Sequence, residues 1–428
     1  MVQESVALGG SCGLLRCATT PRDVGRSRHL ILGMVCLLFC RHRGFGSLAD
    51  VSLQPGPLTV LIGPNGAGKS NLLRALRMVS LMRTGSLQRF VAEAGGASAL
   101  LHYGPKRTPV ISLKLEFDLD SPGHLNHTDT DTDTDTDPDT DDDTDEHAKN
   151  WYEARLGFAA GDRLMYLDEL VGYQSSKDRR KREWSLGAGH WESVLRDEAM
   201  DPKNTTVRTA NHCIRGLTFF HFHDTSMTSA LRTKAWVQDD RFLRSDGSNL
   251  AAFLRRLQQS EHDDERTAWR RINQFVRRIV PAVKMLDPTM EGAGSVRLDW
   301  VDDRDQRFGV HQLSDGTLRS IALITALAQP THLLPMFVSI DEPELGLHPA
   351  AIHLLAELAR SVSRHTQVLF ATQSTSFLDH FEPHEVVVVE RDGGKSQLKP
   401  VDGDALASWL EDYRLSEIFG KGVIGGRP

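Results

Sequence analysis

Residues 63–70 have the types and the spacing of a loop that binds phosphate. The apolar run 58–62 before them predicts a strand, and the run 71–76 after them predicts the start of a helix. Glycines let the backbone curl so that successive N–H groups point at an anion, and the helix adds its positive end there. The loop comprises Gly63, Pro64, Asn65, Gly66, Ala67, Gly68, Lys69 and Ser70.

Two side chains of this phosphate loop (residues 63–70) could act directly on a bound nucleotide. Lys69 would supply a mobile positive charge to the β- and γ-phosphates, and the Ser70 hydroxyl would hold Mg²⁺. The alternative is a glycine-rich turn that binds nothing. The strand before the loop and the helix after it argue against that alternative.

Two carboxylates follow an apolar run late in the chain. Residues 335–340 predict a buried strand, and Asp341 and Glu342 come directly after it. The carboxyl end of a strand is where α/β sheets place catalytic groups. Asp341 would hold Mg²⁺, directly or through water, and Glu342 would polarise an attacking water as general base.

Ser314, Asp315 and Gly316 precede a predicted helix over residues 318–328. A serine and a glycine at a helix N-terminus leave backbone N–H groups available to an anion. These three residues therefore form a second candidate site for phosphate.

Periodic patterns predict the elements that must position these motifs. Strands are predicted over residues 35–41, 110–117, 152–158, 163–167, 217–223, 295–300, 307–310 and 367–371, and one begins at residue 50. Helices are predicted over residues 70–82, 250–257, 269–283 and 349–362.

Two polar segments have a structural and a functional interpretation. The basic cluster 175–182 is interpreted as a solvated loop, in preference to a contact with a phosphate backbone. His221 and His223 would share one face of the strand 217–223 and could form a metal pair. We favour a structural role for them, because no third ligand is evident nearby.

The formal net charge of −7 is concentrated in one segment. Residues 127–147 hold ten Asp and one Glu, without Lys or Arg. Such a tract cannot bury apolar surface and repels itself, so we expect disorder rather than a calcium loop. Without this tract the chain would be mildly basic, which permits a nucleic-acid partner without requiring one.

The five cysteines are expected to be reduced thiols, because their spacing matches no zinc site. The apolar run 30–40 is too short to span a membrane and is better explained as a buried strand than as a secretion signal. These observations predict a cytoplasmic protein that does not enter a membrane.

Composition and pattern divide the chain into five predicted segments. They are 1–33, a disordered extension or one upstream of the working start; 34–120, the first lobe with the phosphate loop; 121–149, a disordered Thr-Asp loop; 150–300, a β hairpin plus helical insert; and 301–428, the second lobe with the late motifs.

Taken together, the motifs resemble those of the ABC-type ATPase heads of the RecF/SMC group. Within that group, the chain is most similar to the stand-alone "predicted AAA-type ATPases" of bacteria. The similarity covers roughly residues 35–120 and 150–428. It rests on the phosphate loop and on residues 44–48, 220–226, 315–319, 341–349, 371–374, 409–413 and 425–428.

The resemblance implies an α/β P-loop NTPase fold with a mixed sheet, an antiparallel β lobe and an α-helical insert. It implies that two heads pair head to tail, with ATP and Mg²⁺ between the phosphate loop of one and Ser314–Gly316, the signature motif, of the other. Gln373 stands where related heads often have a switch histidine; glutamine can bond the γ-phosphate but takes up a proton less readily. Gln88 is a weak candidate for the glutamine that couples Mg²⁺ to the insert.

The expected function is ATP binding and hydrolysis by a homodimer that acts on DNA or on an effector protein, in DNA repair, recombination or phage defence. ATP is favoured over GTP because no Asn-Lys-x-Asp guanine-binding motif occurs. The alternative is a nucleotide-gated regulatory or scaffold protein with little turnover, and a transporter subunit is disfavoured.

Overall fold

The computed structural model describes residues 36–119, 148–175 and 180–426. The predictions of disorder for residues 1–33 and for the acidic tract 127–147 lie outside this part of the chain. Residues 148 and 149, which were assigned to the Thr-Asp loop, begin a strand instead. Their alternation continues that of the following residues, so the predicted boundary was two residues late.

Six strands form an antiparallel sheet in the order β2-β1-β4-β5-β6-β7. Its strands are β1 (Cys36–Phe45), β2 (Leu48–Leu53), β4 (Val110–Leu119), β5 (Ala148–Ala159), β6 (Arg163–Gln174) and β7 (Lys181–Gly187). The predicted hairpin of β5 and β6 is present, and it pairs with β4 of the first predicted segment.

The central sheet carries the motif-bearing strands in the order β16-β15-β3-β14-β13-β8. Its strands are β3 (Leu58–Ile62), β8 (Leu217–Phe220), β13 (Phe337–Asp341), β14 (Gln367–Thr372), β15 (Val386–Asp392) and β16 (Lys395–Pro400). All neighbouring pairs are parallel except β15 with β16. The carboxyl ends of β3, β13 and β14 therefore meet at one edge.

A small third sheet and the helices complete the fold. The sheet contains β9 (Ala235–Trp236), β10 (Val283–Glu291), β11 (Ser295–Asp302) and β12 (Arg307–Gly309). The helices are α1 (Lys69–Met82), α2 (Leu87–Glu93), α3 (Ala97–Leu100), α4 (Leu195–Glu198), α5 (Thr205–Arg215), α6 (Leu250–Gln259), α7 (Asp263–Ile279), α8 (Asp315–Ala328), α9 (Pro349–Val362), α10 (Thr375–Leu378), α11 (Ala407–Leu410) and α12 (Leu415–Gly420).

Strands β3, β13 and β14 of the central sheet are buried almost along their whole length, which explains why they are mostly apolar runs. In β3, Leu61 packs into the core shared with α1 and the antiparallel sheet. Val60 and Ile62 point to the opposite face, into the core shared with α6 to α9. Because side chains alternate along a strand, β3 contributes to both of these hydrophobic cores.

The sequence misplaced some elements for identifiable reasons. Part of the basic cluster forms β7, an edge strand whose side chains are almost all exposed, so no apolar alternation marked it. Helix α7 ends at Ile279 and β10 begins at Val283, so the predicted helix 269–283 ran into a strand. His221 and His223 follow β8 and therefore do not share a strand face.

Neither a metal-binding cluster of His, Cys, Asp or Glu side chains nor a membrane-spanning helix is found in the described residues. Within the described ranges, no group of three or more His, Cys, Asp or Glu side chains could hold a metal ion by itself. In the same ranges, no helix is long and apolar enough to cross a bilayer. The described part of the apolar run 30–40 lies in β1, as the strand prediction required.

Replacing Gly172 by alanine is expected to destabilise the antiparallel sheet. The buried Trp151 ring lies over Gly172 on the neighbouring strand, where an added Cβ would overlap it. The Lys114 and Lys181 ammonium groups lie 5.6 and 5.9 Å from the ring centroid and limit its movement. Overpacking of this kind costs about 1–3 kcal/mol.

Thermal unfolding of the full chain measures this effect. Gly420→Ala is the matched control, because a Cβ at Gly420 meets no heavy atom within 4 Å. A lower Tm for Gly172→Ala, with no loss for Gly420→Ala, is expected. Equal Tm values for the two variants would show that the Trp151 ring moves aside freely.

Candidate active site

The phosphate loop joins β3 to α1 and adopts a conformation that its glycines require. Gly66 and Gly68 have φ angles of +76° and +113°, in the region that favours glycine. A Cβ at Gly63 would overlap the Val389 carbonyl oxygen, and one at Gly68 would overlap the Ser396 hydroxyl. The loop is therefore held tightly against β15 and β16.

Lys69 lies inside the loop rather than in solvent. Its ammonium donates hydrogen bonds to the carbonyl oxygens of Gly63 (2.7 Å) and Pro64 (3.1 Å). Burial lowers the pKa of Lys69, and the nearby carboxylates of Asp341 and Glu342 oppose that shift. The positive charge of Lys69 therefore lies within the loop. The neighbouring Ser70, in the first turn of α1, is exposed.

Asp341 ends β13 and has the environment of a cation ligand. Its Oδ1 atom is buried and has no hydrogen-bond partner among the described residues. An unpaired carboxylate oxygen is costly to bury, and a bound cation removes that cost. Together with the exposed Ser70 hydroxyl, this oxygen fits the hard-oxygen donor set that Mg²⁺ prefers.

Glu342 is held in a strained backbone conformation, with φ at +45°. Its N–H donates to the Ala371 carbonyl oxygen (2.7 Å), and its own carbonyl accepts from Arg319 (2.6 Å). Its Oε1 accepts from the Gln373 amide (3.0 Å). Positive φ in a residue other than glycine is costly and concentrates at functional sites, where surrounding bonds enforce it.

Glu344 is a third carboxylate at this edge, and the sequence reasoning assigned it no role. Its Oε1 accepts from the Thr372 hydroxyl (2.5 Å), and its Oε2 is buried without a described partner. Burial raises the pKa of Glu344 above its ordinary value. Its position in the sequence, two residues after Glu342, was the signal from which a place at this edge could have been predicted.

The signature motif lies at the N-terminus of α8. The Ser314 hydroxyl caps the helix by accepting from the Thr317 N–H (3.2 Å). A Cβ at Gly316 would overlap the Gly346 carbonyl oxygen, so the motif packs closely on the segment after β13. In the described part of the chain, no hydrogen bond joins Ser314, Asp315 or Gly316 to the phosphate loop.

Arg232, which the sequence reasoning missed, fixes the signature motif. Its side chain is almost fully buried and donates to the carbonyl oxygens of Thr225 (2.9 Å), Val310 (2.8 Å) and Leu313 (3.1 Å). It also donates to Asp315 Oδ1 (2.8 Å). More than 80 residues separate Arg232 from Asp315, so no local pattern could reveal this contact.

Arg232→Met is expected to lower the stability of the fold around the signature motif. The substitution keeps an apolar side chain of similar length but leaves the three carbonyl oxygens without a donor. Each buried unsatisfied group costs about 1–3 kcal/mol. The measurement is Tm by differential scanning calorimetry, with the exposed Arg241→Met as control. An unchanged Tm for Arg232→Met would show that water replaces the guanidinium.

The structure thus brings together most, but not all, of the predicted site residues. Residues 63–70, Asp341, Glu342 and Gln373 converge at the edge formed by β3, β13 and β14. Among the described residues, no hydrogen bond connects the signature motif to the phosphate loop; the motif instead packs on the segment after β13. Gln88 donates from its amide to the carbonyl oxygens of Leu164 (2.8 Å) and Trp191 (2.7 Å), which ties α2 to β6.

This combination of a parallel sheet, a phosphate loop and an acidic strand end is that of a P-loop NTPase fold. The fold is that of an SMC head. A crystal structure of an Smc head bound to the C-winged helix domain of ScpA superposes with a TM-score of 0.52 at 15% identity, over 86% of this chain and 99% of that one. An Smc head from Pyrococcus furiosus with an extended coiled coil also gives 0.52, at 13% identity over 89% and 99%.

The chain belongs to the family described as "AAA domain, putative AbiEii toxin, Type IV TA system", which matches residues 58–183 and 206–379. It is also similar to the OLD nuclease of Thermus scotoductus, with 51% identity over 37 residues. That match spans 9% of this chain and 7% of the nuclease. The predicted resemblance and the predicted fold class are confirmed.

Proposed function

We propose that the protein binds ATP with Mg²⁺ and hydrolyses it. The observation that carries this proposal is that two neighbouring residues have features of a hydrolytic site. Glu342 is held in a strained backbone conformation, and Asp341 has a buried oxygen without a described hydrogen-bond partner. A regulatory site that only binds nucleotide has no need of an oriented base. Family membership supports the same conclusion.

The residues of the site have separate tasks in this proposal. The backbone N–H groups of residues 63–70 and the Lys69 ammonium bind the phosphates. Ser70 and Asp341 would hold Mg²⁺, which neutralises charge on the phosphates when bound. Glu342 accepts a proton from the attacking water, and the Gln373 amide orients the Glu342 carboxylate.

Phosphate release from ATP tests hydrolysis directly. The purified chain should release phosphate in Mg²⁺ and should lose this activity in excess chelator. ATP binding without release, in repeated preparations, would favour the alternative of a nucleotide-gated regulator or scaffold with little turnover. Binding of neither ATP nor ADP would refute the proposed site.

We also propose that two copies pair head to tail on ATP, so that Ser314, Asp315 and Gly316 of one copy close over the γ-phosphate in the other. Two observations support this pairing. Within the described part of one chain, no hydrogen bond joins the signature motif to the phosphate loop, and Leu345, on the segment that packs against the motif, is 47% exposed. Sedimentation of Glu342→Gln should show dimers with ATP and monomers with ADP; monomers in both would contradict the pairing.

DNA is the partner for which a specific observation exists. A groove between α7 and β10 is lined by Arg270, Arg277, Arg278 and Lys284, together with Trp269. Two of these cations have acidic neighbours, since Lys284 pairs with Asp305 and Arg278 lies 3.8 Å from Glu357. Positive side chains beside an aromatic ring suit a nucleic-acid backbone.

Gel-shift titration at two salt concentrations tests this partner. ATP-dependent binding that weakens with salt is expected, because phosphate contacts release counterions. No binding at low salt would favour an effector protein instead.

We propose DNA repair, recombination or phage defence as the biological setting. We also propose that the protein acts in the cytoplasm, where ATP is available.

A further inference from the structure

We propose that Tyr103 and Arg107 form the subsite for the base of the nucleotide, so that the site selects a purine nucleotide over a bare polyphosphate. This inference rests on the proposed ATP site. Sequence reasoning assigned neither residue a role. Both follow α3, in the loop that leads to β4.

Tyr103 has an unusual conformation for a tyrosine. Its φ angle is +58°, in the left-handed region that costs residues other than glycine free energy. Its side chain is 54% exposed, whereas the preceding Leu101 and His102 are buried. A residue that only packs the core would be buried and unstrained, so the conformation points to a task for the exposed ring.

The loop that carries Tyr103 is bonded to the end of β1 and to the turn that joins β1 to β2. The His102 N–H donates to the Gly44 carbonyl oxygen (2.9 Å), and His102 Nδ1 lies 2.6 Å from the Gly46 carbonyl oxygen. The same turn contacts the first turn of α1, because the Asn71 amide donates to the Ser47 hydroxyl (2.9 Å). Tyr103 is therefore positioned through this turn relative to the helix that follows the phosphate loop.

A second contact links Tyr103 to the phosphate loop from the opposite side. Its hydroxyl lies against Gly394, where any Cβ would overlap it. Gly394 lies in the turn between β15 and β16, and that hairpin contacts the loop. Ser396 Oγ is 2.6 Å from the Ala67 carbonyl oxygen, and Arg391 donates to the Gly66 carbonyl oxygen (3.4 Å). The Tyr103 ring therefore connects two structures that border the phosphate loop.

The chemistry of the ring suits a nucleobase. The Arg107 guanidinium lies over the Tyr103 ring, 4.7 Å from its centroid. An aromatic ring stabilised by a guanidinium offers a flat, exposed surface on which a purine can stack. The base of a nucleotide lies beyond its phosphates, and the contacts above link the Tyr103 ring both to the turn that contacts the first turn of α1 and to the hairpin beside the phosphate loop.

Calorimetric titration with ATP and with tripolyphosphate separates base binding from phosphate binding. The test variant is Tyr103→Asn, because asparagine tolerates the left-handed conformation and removes the ring. Its Kd for ATP should rise roughly 5- to 150-fold, the range for loss of one base–aromatic stack. Its Kd for tripolyphosphate should stay unchanged. Tyr103→Phe should bind ATP within a few-fold of the unmodified chain, since the ring remains.

Trp184→Ala is the matched control, since Trp184 is an exposed aromatic residue on β7, at the far edge of the antiparallel sheet. It should change neither affinity. If Tyr103→Asn raised the Kd for ATP and the Kd for tripolyphosphate equally, the loop rather than the ring would determine binding, and the inference would be overturned. An unchanged ATP affinity would overturn it as well. If the unmodified chain binds neither ligand, the proposed ATP site fails together with this subsite.

Discussion

Glu342→Gln is expected to lower the steady-state rate of phosphate release by about 10²- to 10⁴-fold, the usual contribution of a general base. Glutamine keeps the size of the side chain and can still bond the Gln373 side chain, but it cannot accept a proton from water. ATP binding should persist, because the phosphate loop and Lys69 are unchanged. Malachite-green detection of phosphate and calorimetric titration of ATP measure the two effects separately.

Glu357→Gln is the control for this substitution, since Glu357 is a half-exposed glutamate on α9 that contacts Arg278 and His353 at the surface. Its turnover should match that of the unmodified chain. Unchanged turnover in Glu342→Gln would remove Glu342 from the reaction. The buried Glu344 would then become the next carboxylate to test.

Lys69→Ala is expected to weaken ATP binding by roughly 10- to 150-fold, because a hydrogen bond to a charged group contributes about 1.5–3 kcal/mol. The ammonium already lies within the loop, bonded to two of its carbonyl oxygens. Phosphate oxygens would replace these weaker acceptors. Turnover should fall together with binding. Fluorescence titration with a labelled ATP analogue measures the change.

Lys234→Ala removes a lysine of the same charge from the surface, where it pairs with Glu291. It should leave ATP affinity unaltered. A similar loss of affinity in both variants would mean that net charge, rather than the position of Lys69, governs binding. Retained affinity in Lys69→Ala would show that the loop backbone alone holds the phosphates.

Local sequence predicted four of the six strands of the central sheet, β3, β8, β13 and β14, but not β15 or β16. The runs that became β3, β13 and β14 are mostly apolar because both faces of the sheet are covered along these strands. The loop and the acids that follow two of these strands are contiguous motifs, so their positions follow once the strands are parallel. The meeting of Glu342 with Gln373 is a consequence of β13 pairing with β14.

Contacts between distant segments could not be predicted in this way. Arg232 reaches the signature motif, and Arg319 reaches the Glu342 carbonyl, through packing that only the folded chain defines. Strand β7 has no buried face to create a pattern. Tyr103 carries no sequence signal, because its left-handed backbone and its exposure depend on the turn and the hairpin beside it.

Mixing two inactive variants tests the proposed composite site most directly. Lys69→Ala keeps an intact signature motif, and Ser314→Arg keeps an intact phosphate loop. If ATP is hydrolysed between two copies, a mixed pair contains one complete site, so phosphate release in the mixture should rise well above the sum of the separate variants. A mixture no more active than that sum would contradict a site shared between two chains.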